Sequence, residues 1–282
     1  MSGDWHTRVI CRSIDHVMLR LQNIEPLFSL LTKTLCLPVT WPLQHSDFAS
    51  FAWVHVGNTS LELWAAKNNG DLPAECSLPL VHGLALEPDE LAFSIAELER
   101  QGIACKQPRP YQTLNARGQT VSNFTNSVIL DVSSQTTCNF FCEWGAQCEI
   151  APWGTGLGTV QRHEEERLRF AETGGGSLGV VRLARVGLQC CAVQDMARHW
   201  RTLAQVAVDD SLEIDGIALD VTPGERDSIH SLSFEVRSLR VARDFLVARG
   251  LLGNETTLRL TLSERATGGL VFHLIAANAA LN

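Results

Sequence analysis

Four side chains stand out for the chemistry they could do together. His16 lies early in the strand-like run "IDHVMLR", Glu62 in "TSLELW", His82 in "LVHGLAL" and Glu143 in "FFCEW". Two imidazoles and two carboxylates form a nitrogen–oxygen donor set that suits a divalent ion such as Zn, Ni, Mn, Co or Fe. An ion held this way keeps open positions for a substrate that binds through adjacent oxygens. It would act as a Lewis acid on a developing oxyanion, while a loosely held glutamate moves the proton. Glu62 and Glu143 are therefore both candidate ligands and candidate catalytic residues. A single histidine on a strand is more often a satisfied polar group at the rim, so the expectation stands only if all four converge.

Convergence requires a repeated fold, and the sequence carries one. The run holding His16 is followed by a helical segment, with Asn23 as a cap, Pro26 in the first turn and Leu27, Leu30, Leu31 and Leu35 on one face. Three β-like runs come next: "VTW", "SFAWVHVG" and "TSLELWAA". The same order restarts at "LVHGLALEPDELAFSIAELERQGI", where Asp89 is the expected cap and Gly102 the stop. It restarts again at "LARVGLQCCAVQDMARHWRTLAQV", with Asp195 as cap and Met196, Trp200 and Leu203 facing the core, and once more at "SIHSLSFEVRSLRVARDFLVARGLL", with Gly250 as stop. The fold class expected is α+β: four βαβββ modules paired into two domains, with curved mixed sheets forming clefts. Residues 1–145 form the first domain and 179–282 a shorter second one. The segment 146–178 is a Gly-rich linker whose charged middle, "RHEEERLR", is expected to be a solvated helix.

Strand alternation then assigns faces. His16, Met18 and Arg20 point one way, Ser60, Glu62 and Trp64 share a face, and so do His82, Leu84 and Leu86. Phe141 and Glu143 share a face opposite Phe140, Cys142 and Trp144. Met18, Trp64 and Phe141 are accordingly substrate-contact candidates, and Trp41, Trp53 and Trp64 could line a pocket for a flat or apolar molecule. Matching by repeat in the second half puts Leu188 where His16 stands and brings up Asp220, His230 and His273. These three are a weaker candidate site of the two-histidine, one-carboxylate kind.

Composition narrows the partners. The 282 residues carry 23 basic and 31 acidic side chains for a net charge of −8, which argues against nucleic acid. No apolar run is long enough for a membrane span, and "MSGDWHTRVICRS" lacks a signal peptide's apolar centre. Nine cysteines without a CxxC pair fit a reduced, cytoplasmic setting. A small molecule is the expected partner, and a homodimer is the one protein assembly left open.

The strings "IDHVMLRLQNIEPLFSLLTKTLCLPVTW", "NTSLELW", "VHGLALEPDELAFSIAELERQGI" and "FFCEW" together resemble the vicinal oxygen chelate superfamily, which includes glyoxalase I, extradiol dioxygenases and bleomycin-resistance proteins. The resemblance covers nearly the whole chain, in the two-domain layout of the dioxygenases. It implies metal ligands at His16, Glu62, His82 and Glu143, and at Arg20 a residue that holds a charged substrate tail. The asparagine that glyoxalase I would place at Ala66 is missing. The leading expectation is a metal-dependent lyase or isomerase. The alternatives are an extradiol-type iron dioxygenase and a metal-free binding or resistance protein, which has no need of converging carboxylates.

Overall fold

The computed structural model describes residues 8–152 and 158–277. The expected flexible stretch at 153–157 lies outside them. Among the described residues, fifteen strands join one mixed sheet built by repetition. In the first module, β1 (Cys11–Arg20) pairs in parallel with β4 (Ser60–Ala66), and β3 (Ala49–His55) and β2 (Val39–His45) follow outward. The helix α1 (Glu25–Ser29) continues as a wider turn over Leu30–Thr34. The second module repeats this with β5 (Leu80–Pro88), α2 (Leu91–Arg100), β6 (Arg109–Leu114), β7 (Thr120–Val128) and β8 (Phe140–Trp144). A connecting helix α3 (Thr159–Glu172) leads to the third module of β9 (Val180–Cys190), α4 (Val193–Ala204), β10 (Glu213–Ile214) and β11 (Ile217–Pro223). The fourth holds β12 (Ser228–Val236), α5 (Leu239–Ala248), β13 (Leu252–Glu255), β14 (Arg259–Leu262), the short α6 (Glu264–Thr267) and β15 (Phe272–Ala276).

The modules pair through their first strands, β1 with β5 and β9 with β12, both antiparallel. The two pairs meet where β12 and β5 touch at Ile229 and Val81. This is the α+β, four-module architecture read from the repeats.

One face of the sheet is apolar. Val17, Leu19, Leu61 and Leu63 are fully buried in a core shared with Leu27, Leu30 and Leu31. Burying each such side chain contributes about 1.5–3 kcal/mol. On α2, Leu91, Ser94 and Leu98 face the same core at helical spacing, and Ser94 Oγ donates to the Ile10 carbonyl at 2.7 Å. The opposite, concave face carries the chemistry.

The repeat has a regular irregularity. Between the pairs Ile14–Leu86 and His16–Ala85, β1 holds one extra residue, Asp15. Between Met18–Gly83 and Leu19–Val81, β5 holds one extra residue, His82. The second half repeats both bulges, with Ala184 extra in β9 and His230 extra in β12. Such bulges re-aim side chains and shift the alternation by one.

Candidate functional site: an aromatic cleft over the first module

The bulges fix which residues are equivalent. Asp15, His82, Ala184 and His230 occupy the bulge itself. One residue later stand His16, Gly83, Arg185 and Ser231. On the last strand of each module, Glu62 pairs with Met18, Phe140 with Ala85, Asp220 with Gly187 and His273 with Ser233, so these four are equivalent in turn. Only the first module therefore carries both a histidine and a carboxylate at the matching places. The second has Gly83 and Phe140. A Cβ on Gly83 would sit 1.8 Å from the Cys138 carbonyl oxygen, so the backbone there leaves no room for any side chain.

This corrects the expected quartet. His16 and Glu62 meet, with Nε2 and Oε2 3.4 Å apart. His82 instead donates from Nδ1 to the Thr136 carbonyl at 3.2 Å, and is held below its ordinary pKa by burial and by the neighbouring Arg20. Glu143 points to the helix side of the sheet, where its Oε1 accepts from the Leu91 amide at 2.8 Å and caps the start of α2. Phe141, on the same side, is buried in the apolar core and is not a cleft residue. Arg20 is taken up by the loop after β4, with its guanidinium donating to Asn69 and, at 2.6 and 2.7 Å, to Asp71.

The weaker site does not assemble either. Asp220 is paired with Arg185 at 2.9 Å, so a cation of the chain itself occupies that carboxylate. His273 Nδ1 shares a hydrogen bond with Thr261 Oγ1 at 2.9 Å, and burial, then Arg259 and His230, push it down to about 4. Leu188 belongs to the apolar core, and Arg185 stands at the position equivalent to His16. Among the described residues, no group of three or more histidine, cysteine, aspartate or glutamate side chains is arranged to hold a metal ion.

The concave face does form a cavity of about 280 Å³. Its walls are rings: Trp41 from β2, Phe51 and Trp53 from β3, Trp64 from β4, with Phe124, Phe140 and Trp144 closing the far side. Phe48 and Tyr111 stand at its edge, partly exposed. Trp64 stacks on Phe51 with centroids 5.8 Å apart, and Trp41 lies 5.6 Å from Trp53. Met18 and Cys142 also line it, and burial holds the Cys142 thiol well above its ordinary pKa. The polar lining among the described residues is His16, Glu62 and Asn126. Among the described residues, Asn126 Oδ1 is a buried acceptor with no hydrogen-bond donor, and Glu62 Oε2 is a buried acceptor met only by His16 Nε2 at 3.4 Å.

Behind this lining lies a buried ionic network that the linker builds. Arg162, Glu166 and Phe170 are buried along one face of α3, so the helix read as solvated packs onto the concave sheet instead. Arg162 is ion-paired with Asp15, and its guanidinium lies 5.2 Å from the Trp144 ring. Asp15 also accepts from His16 Nδ1 at 2.7 Å and from Trp144 Nε1 at 3.3 Å. Burial works against the Asp15 carboxylate, but Arg162 and His16 outweigh it and hold its pKa far below the usual range. Burial likewise works against the His16 cation, yet its contacts with Asp15 and Glu62 raise it to about 9. Its ring lies 4.3 Å from that of Trp53. Next along, His163 Nε2 reaches Glu87 at 3.0 Å and Nδ1 reaches Glu166 at 3.6 Å, and the two carboxylates raise it to about 9 against its burial. His55, against Phe170 and hydrogen-bonded to Ser60 at 3.2 Å, is pushed down to about 4 by burial.

Solved structures place this architecture. A hypothetical protein from Staphylococcus aureus matches with a TM-score of 0.60 at 12% identity, over 93% of this chain and 98% of that one. The 2,3-dioxygenase LapB from Pseudomonas sp. KL28 matches with a TM-score of 0.60 at 11% identity, over 96% and 93%. A Mn(II)-bound glyoxalase from Novosphingobium aromaticivorans matches with a TM-score of 0.55 at 12% identity, over 94% and 82%. The chain has the fold of the vicinal oxygen chelate superfamily. No protein-family profile and no curated relative matches it. No helix among the described residues is long and apolar enough to cross a membrane, and all nine cysteines are free thiols.

The metal that this fold implies does not fit the residues present. Two of the four expected donors meet, and the equivalent pair in the second module is a glycine and a phenylalanine. His16 Nδ1 is taken up by Asp15, which leaves Nε2, beside Glu62, as its one free donor atom, and two donors alone do not make a metal site.

Proposed function

We propose that the protein binds a flat aromatic small molecule in the cleft of the first module, and that binding needs no metal ion. One observation carries this reading. The concave face offers a wall of rings around a single carboxylate, with the donor set for a cation reduced to His16 and Glu62. Aromatic walls favour a planar guest through stacking and edge contacts, each aromatic pair contributing about 0.5–1.5 kcal/mol beyond area burial. At about 280 Å³ the cavity is close to the lower end of ligand clefts, about 300 Å³. A two- or three-ring guest suits it.

The test is calorimetric titration of chelator-dialysed protein with quinoline, with and without added Mn²⁺. Saturable binding of one molecule per chain, unchanged by the ion, supports the reading. Binding that appears only with the ion overturns it.

A second reading is favoured by the row Asp15–His16–Glu62. A carboxylate in an aromatic cavity backed by a buried cation could take a proton from a carbon acid as general base. Deuterium exchange into the α-position of 1-indanone, followed by NMR in D₂O, checks this. Exchange accelerated by the protein and abolished by Glu62→Gln supports acid–base catalysis, and a rate equal to that in buffer rejects it.

A further inference from the structure

We propose that the guest of this cavity is a flat aromatic cation, its charge seated against Glu62 and its plane held between the rings. This deepens the reading of the cleft as a metal-independent binding site and rests on it. Three observations lead there. The described lining residues hold one carboxylate and no lysine or arginine, and His16, the one basic side chain among them, is bound more closely to Asp15 than to Glu62. Aromatic rings carry negative faces, which attract a cation placed over them, and desolvation strengthens that attraction. Asn126 Oδ1 is a buried acceptor without a donor among the described residues, and Glu62 Oε2 meets only the 3.4 Å contact of His16, so a guest that brings positive charge or N–H groups satisfies what the protein leaves unmet.

His16 does not use up Glu62. Its closer partner is Asp15 at 2.7 Å, against 3.4 Å to Glu62, so its hold on Glu62 is the weaker of the two. Asp15 in turn is shared with Arg162. The network behind the wall thus balances mostly within itself, while Glu62 faces the cavity. An anionic guest that chelates through oxygens would instead meet this carboxylate and the rings, with only His16, already shared by Asp15 and Glu62, to offset them.

Three probes of similar shape separate the outcomes: N-methylquinolinium, neutral quinoline and anionic 2-naphthoate, titrated by calorimetry into the intact chain at pH 7.5. The cation is expected to bind about ten-fold tighter than quinoline, with 2-naphthoate weakest. Glu62→Gln should bring the cation down towards the affinity of quinoline, so that the ratio between the two falls to about one. Trp64→Leu should weaken both by about five-fold, which locates them in this cavity. Circular dichroism confirms that each variant is folded. If quinoline binds as tightly as the cation, or Glu62→Gln leaves their ratio intact, charge selection is overturned while the aromatic cleft stands. If Trp64→Leu changes neither, the probes sit elsewhere and the assignment to this cavity is overturned. If no probe binds to folded protein, the binding reading itself falls, and charge selection with it.

Discussion

The guanidinium of Arg162 is closed on the carboxylate of Asp15, and both side chains are buried, 2% and 0% exposed. One partner belongs to a helix in the connection between the module pairs and the other to a bulge in the first strand. Breaking a buried pair from one side leaves an uncompensated charge and costs about 3–5 kcal/mol. Arg162→Met is therefore expected to lower unfolding stability by that order in urea. Arg162→Met with Asp15→Asn should recover part of the loss. An Arg162→Met variant that unfolds like the original would show that the pair is not closed in solution.

The histidines fix a pH profile. His16 and His163 are raised to about 9, so the stability they contribute is complete below the unfolded value near 6.5 and is lost as pH rises through 9. His55, lowered to about 4, contributes in the opposite sense, with stability complete above about 6.5 and lost as pH falls towards 4. Denaturant unfolding between pH 4 and 9 should show a maximum near neutrality. His16→Asn should flatten the alkaline side, and an alkaline limb unaltered by that change contradicts the ionic row.

Glu143 holds a helix start, not an ion. Glu143→Ala should cost about 1 kcal/mol, the usual worth of a cap, and leave quinoline affinity in the cleft unchanged. A several-fold loss of quinoline affinity, with stability unaltered, would return Glu143 to the cleft.

Gly83 is where the second module abandons the first module's chemistry. Gly83→Ala drives a methyl into the Cys138 carbonyl and should destabilise by about 1–3 kcal/mol or more. A neutral effect in urea unfolding would show that the strand can shift there, and that a side chain equivalent to His16 could be accommodated.

Much of this architecture was legible from the sequence because each module announces itself with the same strand–helix order and the same helix stops, Gly102 and Gly250, both in the left-handed region. Within the first module, alternation alone puts Glu62 beside Met18 and Trp64 on the cleft face. What failed was the extrapolation to the second module. His82 is the bulge residue rather than the one after it, and a one-residue slip carries a side chain to the other face or the wrong rung. Bulges leave no trace in an apolar pattern. The same limit hid α3. Its run of glutamates and arginines reads as a solvated face, yet Arg162 and Glu166 are buried, because Asp15, on a strand far away in the chain, awaits Arg162 and His163 of the same helix lies beside Glu166. The aromatic wall left a partial signal, since Trp41, Trp53 and Trp64 were recognisable as cleft candidates. Phe124, Phe140 and Trp144 carried none by themselves.

Elemental analysis tests the account most directly. Protein purified without chelator from medium containing Mn, Fe and Zn is compared with a His16→Ala, Glu62→Ala double variant. The donor set predicts well under one metal ion per chain in both, at about the same background. About one ion per chain in the original protein, lost in the double variant, would contradict the metal-independent cleft.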